Sequence, residues 1–170
     1  MKLLSRLFRS EPDAREALRP LWHRVVAISR EPEWYSGCGV ADTVAGRFDM
    51  ITAVLALVLL RLEREGDCGA QSALLTELFV EDMDGQLRES GVGDIVVGKR
   101  IGKLMASLGG RIGAYRAALA GEAPLEDALR RNVTLLDGSG PNALAERLRA
   151  LSGELGVVAA SEVLAGNIAR

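Results

Sequence analysis

Histidine occurs once in this chain, as His23, and cysteine twice, as Cys38 and Cys68. A lone histidine removes His-rich metal sites and most catalytic triads. The cysteines are far apart, with neither CxxC spacing nor a histidine nearby, so neither a disulfide framework nor a thiolate zinc site is expected. They read as reduced thiols. Aromatic residues make up only 4% of the chain, and β-branched residues fall in short patches without the alternation of half-buried strands. No strong net charge is present either. The formal value is −2, so no overall field draws in nucleic acid, and no nucleic-acid partner is expected. The longest apolar stretch, Met50 to Leu62, falls short of the ~20 residues that span a bilayer. No apolar segment with a cleavage site follows the charged N-terminus, so the chain does not read as secreted.

What is present is alanine and leucine, unbranched residues that lose little rotamer freedom in a helix. At 170 residues the chain is long enough for one hydrophobic core, and 48% of it is apolar. The pattern predicts an all-α fold, a single compact bundle of about six to eight helices over 11–170. A short basic amphipathic arm over 1–10 precedes it. Ser10, Pro12 and Asp13 read as a helix start, and Pro20 should kink or split the helix that follows. Asp42 is placed to cap a long helix running to about Glu65. Further helices are expected over roughly 71–88 and from Asp94 to about Ala120, with shorter ones starting at Pro124 and Pro141. A last apolar piece, Val157 to Ile168, should dock on the bundle.

Several groups of residues stand out. Arg47 and Asp49 flank Phe48 at the start of the long apolar helix. Two positions apart, they point in nearly opposite directions, so a buried one must find its partner on another helix. Between Glu77 and Asp94 lie six acids against the single base Arg88. Glu77, Glu81, Asp84 and Arg88 form one exposed stripe, and Asp82 borders the apolar face. No calcium-loop or Glu-x-x-His spacing accompanies them, so the cluster reads as partner-facing. From Lys99 through Arg100, Lys103 and Arg111 to Arg116 the charges are all basic. This split either pairs two helices with each other or presents charge to a partner. Gly98, Gly102, Ala106, Gly109, Gly113 and Ala117 form a small-residue stripe on the same helix, read as a tight internal crossing or as a groove for a client helix. The arm, with Leu3, Leu4, Leu7 and Phe8 set against Lys2, Arg6 and Arg9, suits an anionic membrane surface or a docked tail.

The blocks Phe79-Val80-Glu81-Asp82-Met83-Asp84 and Leu87-Arg88-Glu89-Ser90-Gly91-Val92-Gly93-Asp94 resemble the ubiquinol–cytochrome c chaperone family. The likeness continues through Val97, Lys99, Ile101, Lys103, Met105, Gly110-Arg111 and Ala114-Tyr115, with Gly46-Arg47-Phe48-Asp49 as an earlier block. It implies a non-enzymatic, all-helical assembly factor for respiratory complex III without a cofactor. The implied partner is newly made or immature cytochrome b or another complex III component, with a small partner protein in the mitochondrial members. A compact chain without a transit extension looks like a bacterial member, cytoplasmic or peripheral to the inner membrane. Arg47, Asp49, Glu81, Asp82, Asp84, Arg88, Lys99, Gly102, Lys103, Arg111 and Tyr115 are the candidate partner-binding residues. The alternative is a small-molecule or haem-binding bundle without catalytic activity.

Overall fold

The computed structural model describes residues 14–89 and 94–169. The arm and the Ser10 helix start lie outside this range. A 3-10 turn, Glu16–Leu18, leads into α1 (Arg19–Ser29). Pro20 sits in the first turn of α1, where its missing N–H costs nothing, so the proline starts the helix. A short α2 (Pro32–Ser36) follows and buries Trp34, whose indole N–H donates to the Ile28 carbonyl at 2.6 Å. Next come α3 (Val44–Glu63), α4 (Gly69–Glu89), α5 (Asp94–Leu119), α6 (Leu125–Asn132), α7 (Asn142–Val157) and the one-turn α8 (Ala160–Leu164).

The centre of the bundle is α3. It is capped by Thr43, whose hydroxyl accepts from the Gly46 N–H at 3.1 Å. Asp42, the expected cap, pairs instead with Arg47 at 2.6 Å. Every residue from Asp49 to Leu62 is buried, because α1, α4, α5 and α7 all pack around this helix. Each large side chain enclosed in this way contributes about 1.5–3 kcal/mol. Gly46 is required where α3 begins, since a Cβ there would lie 2.0 Å from the Ala41 carbonyl oxygen. Among the described residues no helix is long and apolar enough to cross a membrane.

Among the described residues, strand-like pairing is limited to an isolated antiparallel bridge between Val40 and Leu135. It lays the segment after α6 beside the residues preceding α3, with the Ala41 N–H donating to the Thr134 carbonyl at 2.9 Å. The C-terminal piece docks as expected, with Val163 and Ile168 in the core, and Arg24 donates twice to the Ile168 carbonyl. Val157 is the exception. It ends α7 at 88% exposure.

Candidate functional site

The residues singled out in the sequence separate into an interior cluster and an outer face. The interior cluster is built on Asp49. Helix α3 points this carboxylate toward α5, where Arg111 meets it at 2.6 Å with both side chains nearly enclosed. The β-bridge supplies the remaining partner. The second Asp49 oxygen accepts from the Thr134 backbone N–H at 2.8 Å and from its hydroxyl at 2.7 Å. Arg111 also donates to the Thr52 hydroxyl and stands over the Phe48 ring, 5.8 Å from its centroid. Asp49 therefore joins α3, α5 and the segment after α6. A buried charge is tolerated when its lone pairs are satisfied in this way.

One turn beyond Arg111 on α5 lies Tyr115, fully buried. Its hydroxyl has no hydrogen-bond partner among the described residues. Burial pushes this hydroxyl up to about 12, against a smaller opposing effect of the Arg111 charge. Asp49, Arg111 and Tyr115 thus lie in the interior, where a partner meeting the surface does not reach them. Arg47, by contrast, is exposed and faces solvent with Asp42.

One acid of α4 turns toward the start of the chain. Glu81 lies 3.7 Å from both Arg15 and Arg19. Asp82 is half-buried, as expected for a residue bordering the apolar face. It lines a cleft of ≈ 560 Å³ between α1 and α4 with Trp22, His23, Arg30 and Glu89. Asp84 is half-buried, and the Arg88 side chain lies outside the described residues. On α5, Arg111 and Arg116 pair with Asp49 and Glu63 of α3. These two bases of α5 therefore take their partners from α3.

The outer face belongs to α5. Lys99, Gly102 and Lys103 are exposed, as are Gly98, Ala106, Gly109 and Gly113. A Cβ at any of these glycines would meet nothing within 4 Å. Of the two readings of the stripe, a tight internal crossing is not made with any described residue at these positions, and the small residues line an open face beside the exposed Met105. Both thiols are buried, and burial pushes Cys38 and Cys68 up, away from the reactive thiolate. Thr52 and Thr134 were missed in the sequence. Nothing in its spacing links Thr134 to Asp49, because the bridge that joins them is tertiary.

Residues 36–169 match the model of the family described as ubiquinol–cytochrome C chaperone. A search of curated proteins finds no match. Among solved structures, the chain is similar to one described as the crystal structure of the Cbp3 homolog from Brucella abortus. Identity is 31%, the TM-score is 0.78, and the match covers 98% of this chain and 95% of that one. With its helical bundle and a family match over most of its length, this chain belongs to the ubiquinol–cytochrome c chaperone family.

Proposed function

We propose that this protein binds newly made or immature cytochrome b during assembly of ubiquinol–cytochrome c reductase, and carries out no chemistry of its own. The family match over residues 36–169 carries this reading. The geometry is in keeping with a binding role: the enclosed Asp49–Arg111 pair is committed to holding helices together, while α5 turns a smooth face outward. The exposed stripe of Gly98, Gly102, Ala106, Gly109 and Gly113 would let the backbone of a client helix approach closely, the benefit that small residues bring to helix–helix contacts. Lys99 and Lys103, exposed beside that stripe, would set the orientation of a client more than its affinity. On this reading the protein is cytoplasmic and works peripherally at the cytoplasmic face of the inner membrane, where such a client is inserted.

Gly102→Leu tests the surface. Leucine is the better helix former by about 0.5–1 kcal/mol and meets open space here, so the melting temperature should hold or rise. Complex III abundance and cytochrome b capture in the native host should fall. Normal assembly with this variant would reject α5 as the client face. Wild-type protein that co-purifies without cytochrome b would reject the client, and a coloured preparation would point to haem.

A further inference from the structure

Helix α5 holds five glycines, Gly98, Gly102, Gly109, Gly110 and Gly113. Glycine weakens a helix interior because it surrenders the most backbone freedom on folding. At Gly46 a close approach to Ala41 explains the choice, but at these five positions an added Cβ meets nothing within 4 Å. Internal packing therefore does not ask for them.

Burial within α5 is also divided. From Gly98 to Ser107 no residue is buried, and the apolar Ile101 and Leu104 are only half-covered where they lie on the core. From Leu108 onward the helix is anchored by Leu108, Arg111, Tyr115 and Ala118, all buried, and by the bonds of Arg111 to Asp49 and Thr52. A segment with low helix propensity and few enclosed side chains has a low free energy of local opening. The anchored half holds Gly109, Gly110 and Gly113 and has no higher propensity, but its enclosed side chains and the bonds of Arg111 hold it shut.

We infer that the first half of α5, as far as Ser107, is a local-unfolding element: it opens while the second half stays held by Arg111, and opening uncovers Ile101, Leu104 and the core surface beneath them to an apolar client segment. Gly98 and Gly102 then also keep this part of the helix easy to open, where a stiffer helix would keep the surface shut. The client's identity rests on the function proposed above, but the opening itself is measured without a client.

The experiment is amide hydrogen exchange on the purified full chain, followed in wild type and in the Gly98→Ala/Gly102→Ala variant. Amides of 99–107 should exchange at least ~100-fold faster than those of 111–118 and of the middle of α3. The variant should slow exchange over 99–107 by about tenfold or more and leave α3 unchanged. Equal protection across α5, unchanged rates in the variant, or an equal slowing in α3 would overturn the inference. The same variant should also capture less cytochrome b although it is more stable. Full capture despite slowed opening would overturn the role assigned to it. Wild-type protein that opens locally but captures no cytochrome b overturns the client reading and leaves the opening standing.

Discussion

Asp49 shows how one side chain can tie distant parts of a chain together. Its carboxylate meets Arg111, 62 residues away, and Thr134, 85 residues away, and removing it strands a guanidinium in the interior. Asp49→Ala should therefore cost roughly 3–5 kcal/mol more than Glu122→Ala at an exposed turn. Equal melting shifts for the two variants would refute the pairing. Tyr115 supplies a pH signature. Its neutral form is favoured by burial, so the hydroxyl titrates near 12 in the folded chain and near 10 when unfolded. Its contribution is intact below about pH 10 and is lost as the pH rises toward 12, because only the unfolded chain gives up the proton readily there. Chemical denaturation across pH 9–12 should show this fall in wild type, and Tyr115→Phe should remove that part of it. The phenylalanine variant should also be no less stable at neutral pH, since the hydroxyl it loses is buried without a partner among the described residues.

At the scale of the element, helix ends are held by groups far away in sequence. Arg61, buried within α3, donates to the Leu155 carbonyl at 2.9 Å and to the Val158 carbonyl at 2.8 Å, closing the end of α7. Arg61→Met keeps most of the apolar stem and frees both carbonyls. It should lower stability by about 2–3 kcal/mol, read from urea midpoints at an unchanged slope. A loss no greater than that of an exposed arginine such as Arg131→Met would show that α7 needs no such cap. Helix α3 and helix α5 make an instructive contrast. Both are long, but α3 is enclosed on all sides and α5 leaves a full face open, so the same loss of glycine entropy would be absorbed in the first and is felt in the second.

For the whole molecule, helices dominate and strand-like pairing among the described residues is confined to the single bridge at Val40 and Leu135. Far-ultraviolet circular dichroism should show deep helical minima and negligible sheet, and a substantial strand signal would contradict the architecture. Fold class and most helices were legible in the sequence because apolar residues recur at helical spacing, and periodicity is a local property. Proline placed the starts near residues 124 and 141, and the apolar run from Met50 to Leu62 marked the central helix. Pro20, expected to kink a helix, instead opens α1, because its missing N–H is harmless in a first turn. That Asp49 required a partner from another helix was also legible, since burying an unpaired charge is so costly. Which partner it takes was not. Arg111 and Thr134 reach it only because α5 crosses α3 and the Val40–Leu135 bridge folds the segment after α6 back onto the start of α3. The direction of the glycine stripe was likewise undecided in one dimension, since spacing shows that small residues share a face but not what that face meets. Only packing decided that α5 turns Leu108, Arg111 and Tyr115 inward and leaves Gly98, Gly102 and Gly109 to solvent, because burial depends on how all the helices share one core.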